Sequence, residues 1–478
     1  EIDLTERTRE ALAETELDTR GKDRCKNMYA LGILYWLFQR EVEPTQKALA
    51  QKFAKKPAIV EANLKAMAAG HAYAETVEIF QVSYKVAPAK MPAGTYRNIM
   101  GNQSLCLGLV AASKQGGIPL FLGSYPITPA SDVLHQLSSY KNHGVVTFQA
   151  EDEIAAVCAA IGASYTGKLG ITSTSGPGIA LKAEAIGLAI MAELPLVVLN
   201  IQRAGPSTGM PTKTQQADLL QAMYGRNGES PMVVISCSTA ADAFEVGYEA
   251  VRIATKHMVP VMVLSDGYIA NGSEPWRLPD VDKLPPIEVR YAPEGVDGVK
   301  FKPYERNPET LARPWAKPGT KGLVHRIGGL EKQDVTGNIS YDPDNHQHMI
   351  NTRAKKVALV ANDLPPTETI GETSGDVLVL GWGSPRGAIT AAVTRLQKQG
   401  ESISCAFLRY LNPLPNDLEA LMRSFKKVVL PELNSGQLAM MLRSKYLIDV
   451  QSYSQVNGQP FQSQAVEDYM RNVLQEVK

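Results

Sequence analysis

Gly123-Ser124-Tyr125-Pro126-Ile127-Thr128-Pro129-Ala130-Ser131 decides the reading of this chain. It follows the apolar run 118–122, which reads as a short buried strand, and precedes 132–137, which reads as the start of a helix. Pro126 and Pro129 fix their own φ and bias the residue before each away from the helical region. Ile127 and Thr128 are therefore expected to be extended, with the Thr128 hydroxyl presented at the C-terminal end of a strand. That edge is where ligands of open α/β sheets bind. A plain proline-rich turn with a capping Ser or Thr has the same composition, so the stretch alone leaves both readings open.

Outward from this turn, strands and helices alternate. Residues 145–149, 170–173, 196–201, 232–236 and 259–265 read as strands; 101–114, 151–165, 179–192 and 240–255 read as helices. The alternation predicts a parallel, doubly wound α/β sheet. A second α/β unit opens at 376–381, with strands near Val377, Ile403 and Val428, helices over 388–399 and 437–446, and a charged helix after Phe461. Residues 1–87 read as mostly helical. Within them 5–17 is charged and amphipathic, 57–69 repeats apolar residues at helical spacing, and 27–39 is apolar on nearly all sides, so burial on several faces is expected. Residues 88–94 have linker composition. Residues 272–370 carry many prolines and weak periodicity, which suits a connector or a functional loop.

The 478 residues suggest two to four domains. The 49 basic and 49 acidic side chains cancel, which gives no reason to expect a nucleic acid or an anionic membrane as partner. The longest apolar run, 28–38, is about half the length a bilayer requires. No signal-peptide pattern opens the sequence. Cys25, Cys106, Cys158, Cys237 and Cys405 are scattered without a CxxC pair, which fits reduced thiols and a cytoplasmic location.

Glu151, Asp152 and Glu153 suit the positive end of a helix dipole. Arg203, ending a strand, is either a loop anchor or a planar donor for a carboxylate. The turn Thr174-Ser175-Gly176-Pro177-Gly178 offers a helix N-terminus to an anion, or is a simple connection. Gly381-Trp382-Gly383 with Gly387 departs from the dinucleotide spacing and is discounted. His346-Gln347-His348 lacks the helix spacing of a metal pair, and no metal site is assigned.

Tyr-Pro-Ile-Thr-Pro over 125–129 resembles the signature of the 2-oxoacid:ferredoxin oxidoreductases. The resemblance covers about residues 20–478. It includes 151–203, Gly205-Pro206-Ser207-Thr208-Gly209, His325-Arg326-Ile327-Gly328-Gly329-Leu330-Glu331, and Pro431-Glu432-Leu433-Asn434-Ser435-Gly436-Gln437-Leu438. The last three pieces look most like the alpha subunit of the 2-oxoglutarate-specific members. What it implies for the fold is a thiamine-diphosphate-binding (pyrimidine-side) doubly wound sheet over 95–272, an irregular connector over 273–370, and a transketolase-like C-terminal α/β domain over 371–478. Residues 1–90 resemble the C-terminal part of a gamma domain. Its glycine-rich beginning is absent and the sequence opens at Glu1, so an N-terminal portion is expected to be missing.

The resemblance also implies roles. Glu153, with Glu151 as fallback, would face N1′ of the aminopyrimidine. Tyr125, Pro126, Ile127, Ser175 and Gly176 would contact the cofactor. Arg203 would clamp the 2-oxoacid carboxylate, Thr128 would donate to that carboxylate or to the keto oxygen, and Ser207 and Thr208 would join the substrate site. A beta subunit would hold the diphosphate, Mg²⁺ and a [4Fe-4S] cluster; this chain has no Gly-Asp-Gly motif and no clustered cysteines. The implied reaction is oxidative decarboxylation of 2-oxoglutarate to succinyl-CoA, with coenzyme A as co-substrate and electrons passed to ferredoxin, reversible toward CO₂ fixation. The chain would be active only in a heterodimer or dimer of heterodimers, and would expose a large apolar interface alone. Pyruvate or a branched-chain 2-oxoacid as substrate, a non-catalytic scaffold, and a dinucleotide enzyme built on the Gly381 turn are the competing expectations.

Overall fold

Residues 1–77 and 82–477 are described by the computed structural model, which places them in two units, Glu1–Ala93 and Gly94–Lys478. The first unit holds helices Leu4–Ala11, Thr19–Asp23, Lys26–Leu37, Glu43–Lys52 and Pro57–Thr76. Lys26–Leu37 and Pro57–Thr76 approach at two glycines. A Cβ on Gly32 would lie 2.0 Å from the Met67 carbonyl oxygen, and one on Gly70 would lie 2.0 Å from that of Tyr29. The contact is one-sided: Tyr29, Gly32 and Ile33 are buried, while Leu34 is 46% exposed. Burial on several faces, as expected for 27–39, is therefore corrected. Residues 78–81 of the stretch read as helical lie outside the described residues.

The second unit lays down β1 (Tyr96–Met100), β2 (Leu120–Ser124), β3 (Val145–Gln149), β4 (Leu169–Thr174), β5 (Leu196–Gln202), β6 (Val233–Ser236), β7 (Pro260–Asp266) and β8 (Ser273–Arg277). After the connector come β9 (Thr369–Ile370), β10 (Gly375–Gly381), β11 (Ile403–Phe407), β12 (Tyr410–Asn412), β13 (Phe425–Glu432) and β14 (Val450–Ser454). β1 and β8 form an antiparallel ribbon. The larger sheet runs β12-β6-β7-β5-β4-β2-β3, parallel throughout except for β12. Every residue of β4, β5, β6 and β7 is buried, as expected of parallel strands covered on both faces. The chain leaves β2 toward β3 and returns on the other side to β4. That reversal opens a crevice at the C-terminal ends of β2 and β4.

The smaller sheet, β14-β13-β10-β11-β9, is parallel except for β9. It reverses in the same way between β10 and β13. An apolar core lines each sheet, and a cluster containing Val198, Val234, Leu378, Leu430 and Leu438 joins the two.

Several sequence expectations need correction. Helix Gly176–Ala192 begins three residues earlier than 179, so Gly176, Pro177 and Gly178 are helical rather than turn. Only the third of the three acids enters helix Glu153–Tyr165; Asp152 is its cap, accepting from the Ala155 backbone N–H at 2.7 Å. The connector holds β8 and a 17-residue helix, Pro343–Leu359, started by an Asp342 cap and a proline in its first turn. Helix Leu219–Tyr224 and β14 were not anticipated. No described helix is long and apolar enough to cross a membrane.

Candidate active site

The β2/β4 crevice is built from paired hydroxyls. Ser124 and Ser173, at the ends of neighbouring strands, bond through their side-chain oxygens at 2.7 Å. One residue further along each strand, Tyr125 Oη and Thr174 Oγ1 meet at 2.7 Å. Glu153, the first residue of its helix, turns its carboxylate toward the same phenol. Burial raises the Tyr125 pKa, and the bond to Thr174 offsets part of that rise. Gly178 closes the floor: a Cβ there would lie 2.0 Å from Thr174 Oγ1, 2.3 Å from Tyr125 Oη and 3.2 Å from Glu153 Cγ.

Thr128 sits in a turn that Ser131 closes on Ile127: the Ser131 backbone N–H donates to the Ile127 carbonyl at 2.8 Å and its Oγ accepts from the Ile127 N–H at 2.9 Å. The turn aims the Thr128 carbonyl at Arg203, whose Nη1 donates to it at 2.6 Å. Beside Arg203, Asn200 Nδ2 donates to Asp218 Oδ2 at 3.0 Å. Burial raises the Asp218 pKa, and Asn200 and the Arg203 charge oppose that. Asp218 also backs Gly176, where a Cβ would lie 2.7 Å from either carboxylate oxygen.

Tyr125, Glu153, Ser175, Gly176, Thr128 and Arg203 thus line the ends of β2, β4 and β5. Ile127 is half-buried and Pro126 is exposed. Ser207 and Thr208 lie exposed on the loop after Arg203, and Glu151 is exposed outside the helix. Sequence reasoning missed Thr174, Asn200, Asp218 and Lys182. Lys182 is buried, donates through Nζ to Thr172 Oγ1 at 2.6 Å and lies 5.1 Å from the Tyr125 ring centroid. Burial pulls its ammonium down to about 7, against the raising effect of Glu153. The available signal was its spacing: four residues after Gly178, it shares the face that meets Tyr125.

Elsewhere, the Gly381 turn receives Gln216, whose Nε2 donates to the Trp382 carbonyl at 2.8 Å. Gly383 has φ +64°, and a Cβ there would lie 2.3 Å from Gln216 Nε2. His346 pairs with Glu331 at 2.7 Å and His348 with Asp334 at 3.1 Å.

Two buried polar atoms in the crevice, Ser175 Oγ and Asn200 Oδ1, have no partner among the described residues. With the Glu153 carboxylate, they suit a heteroaromatic ring bearing both donors and acceptors.

Residues 112–340 match the family described as pyruvate flavodoxin/ferredoxin oxidoreductase, thiamine diphosphate-binding, and residues 2–73 match the family described as pyruvate ferredoxin/flavodoxin oxidoreductase. The 2-oxoglutarate oxidoreductase subunit KorA of Mycobacterium tuberculosis is 52% identical over 474 residues, covering 99% of this chain and 72% of that protein. The 2-oxoglutarate synthase subunit KorA of Archaeoglobus fulgidus is 34% identical, covering 71% of this chain and 88% of the relative. A solved structure of 2-oxoglutarate:ferredoxin oxidoreductase from Magnetococcus marinus, with 2-oxoglutarate, coenzyme A and succinyl-CoA bound, superposes with a TM-score of 0.88 at 33% identity. It covers 99% of this chain and 80% of that one. The chain belongs to the 2-oxoacid:ferredoxin oxidoreductase family.

Proposed function

We propose that this chain is the alpha subunit of a 2-oxoglutarate:ferredoxin oxidoreductase, catalysing the CoA-dependent oxidative decarboxylation of 2-oxoglutarate to succinyl-CoA and CO₂. The observation that carries the reading is the convergence of Tyr125, Thr174, Gly178 and Glu153 at the β2/β4 reversal, with Arg203 just past the end of β5 on the Thr128 carbonyl. Thiamine diphosphate supplies the electron sink that decarboxylation of a 2-oxoacid requires.

This chain's residues do the rest of the work on its half of the site. Glu153 holds a proton shared with N1′ of the aminopyrimidine. Tyr125 and Thr174 keep that carboxylate at the mouth of the crevice, and Gly178 leaves room for their two hydroxyls. Ser175 and Asn200 supply the remaining polar contacts. Arg203 has one side-chain nitrogen on the Thr128 carbonyl and a buried Nε without a partner, so its guanidinium is already aimed when a carboxylate arrives. The Thr128 hydroxyl, exposed at the crevice mouth, donates to the same substrate. Pro126 and Ile127 flank the cofactor, and Ser207 and Thr208 close over the substrate from the loop after Arg203.

A beta subunit completes the site with the diphosphate, Mg²⁺ and a [4Fe-4S] cluster. Ferredoxin accepts the electrons, and the assembly is a heterodimer or a dimer of heterodimers in the cytoplasm. Residues 1–90 belong to a gamma-like domain, 95–272 to the thiamine domain, 273–370 to the connector and 371–478 to a transketolase-like domain. Dye reduction by the co-purified alpha–beta complex, with 2-oxoglutarate, pyruvate and 2-oxoisovalerate supplied separately, tests the assignment. Reduction only with pyruvate or 2-oxoisovalerate would overturn the substrate and leave the family intact.

A further inference from the structure

Lys182 is 0% exposed, yet both acceptors of its ammonium are neutral: Thr172 Oγ1 at 2.6 Å and the Ser173 carbonyl at 3.5 Å. Burying an ammonium on two neutral acceptors costs more than burying a methionine of the same volume. Packing therefore does not explain a lysine here. The groups that face it do. Tyr125, from the turn after β2, presents its ring at 5.1 Å, and Glu153, from helix Glu153–Tyr165, is the carboxylate whose charge acts on it. Thr172 and Ser173, on β4, are neutral. Lys182 lies one helical turn beyond Gly178, where a Cβ would lie 2.3 Å from Tyr125 Oη and 3.2 Å from Glu153 Cγ.

We propose that Lys182 is a positioning residue for this reaction: its buried ammonium is the counter-charge that holds the Glu153 carboxylate as an anion against the bound aminopyrimidine. A carboxylate enclosed beside a bound ring loses water, and that loss favours its protonated form. A neutral Glu153 keeps the shared proton on itself instead of leaving it on N1′. A cation fixed behind Tyr125 opposes this without touching the ring. The lowered affinity of Lys182 for its own proton reflects the same enclosure.

The inference rests on Glu153 facing the cofactor, and the experiment separates the two claims. The reconstituted alpha–beta complex is compared as wild type, Lys182→Met, Lys182→Arg and Glu153→Gln. Three readouts are followed: the pH dependence of kcat, the near-UV circular dichroism of the bound cofactor's aminopyrimidine, and thermal melting. Lys182→Met is expected to melt no lower than wild type. The acid limb of its kcat profile moves up by about 1 pH unit or more, since a nearby opposite charge shifts a carboxylate by that order. The dichroism titration moves with it, and Lys182→Arg restores both. If Lys182→Met fails to assemble, Lys182→Gln, which keeps a donor for Thr172, carries the same charge deletion. An unshifted acid limb and dichroism titration in the charge-deleted complex, with Glu153→Gln inactive, would overturn the Lys182 inference alone. Full turnover by Glu153→Gln would overturn the cofactor reading and this inference with it.

Discussion

Gln216 is locked to Trp382 across the two sheets. Its Nε2 donates to the Trp382 carbonyl at 2.8 Å, and its Oε1 accepts from the Leu433 N–H at 3.0 Å. Its own backbone N–H donates to the Leu433 carbonyl at 3.0 Å, and its carbonyl accepts from Asn434 Nδ2 at 2.9 Å. The reversal crevice of the smaller sheet is thus filled by the segment that follows Arg203 in the larger one. Gln216→Ala strands a buried carbonyl and a buried N–H, and is expected to lower stability by about 1–3 kcal/mol in denaturant titration. A change below ~0.5 kcal/mol, within the range of ordinary surface substitutions, would show that the lock is dispensable.

Gly178→Ala tests the floor of the site. The new Cβ would fall 2.0 Å from Thr174 Oγ1 and 2.3 Å from Tyr125 Oη, so one of the two must move. The expected outcome is a weakened thiamine diphosphate affinity, by about tenfold or more given ~1.4 kcal/mol per decade. Cofactor titration of the assembled complex, followed by tryptophan fluorescence, reads it directly.

Arg203→Lys keeps the charge and loses the planar fork. The Michaelis constant for the 2-oxoacid is expected to rise by roughly 10-fold to 100-fold, because the bidentate match to a carboxylate is lost. Thiamine diphosphate affinity should stay unchanged. An equal loss of both would place Arg203 in the cofactor site instead.

Glu193 is expected to dominate acid stability. It is 1% exposed, bonded by both Arg306 terminal nitrogens at 2.7 Å and by Lys356. Burial raises its pKa, but the charges of Lys356 and Arg306 outweigh that and bring it from 4.5 to about 2. Two cations on one carboxylate explain why attraction wins there, while burial wins at Lys356, which falls to about 8. The folded pKa lies below the unfolded one. Its stabilisation is therefore present above about pH 4.5 and is lost as the pH falls toward 2. Glu193→Gln leaves Lys356 without a carboxylate and Arg306 with only Asp334, 3.7 Å from its Nε, and should cost about 3–5 kcal/mol near neutrality. Its stability should also fall less steeply with acid than that of the wild type.

The site was legible where local chemistry decides it. Tyr125 and Arg203 stand just past buried strands that their apolar runs announce, and Glu153 stands at a helix start. The closure of the turn around Thr128 is not legible locally, because it depends on Ser131, two residues past Pro129, bonding back to Ile127. Helix Pro343–Leu359 carried its start signal at Asp342-Pro343, but its buried residues include Thr352, Arg353 and Lys356, so no apolar period marks it. Lys182 carries only its spacing from Gly178 as a signal, because its burial depends on Tyr125, which reaches it only through the β2–β4 pairing.

Turnover of the alpha–beta complex carrying Glu153→Gln, with 2-oxoglutarate, coenzyme A and a viologen dye, is the most direct measurement. The amide keeps the shape and loses the proton-sharing carboxylate. The account predicts a complex that still binds thiamine diphosphate and retains its clusters, yet reduces dye at least 100-fold more slowly, about what a general acid–base group contributes. Wild-type turnover from that complex would contradict it.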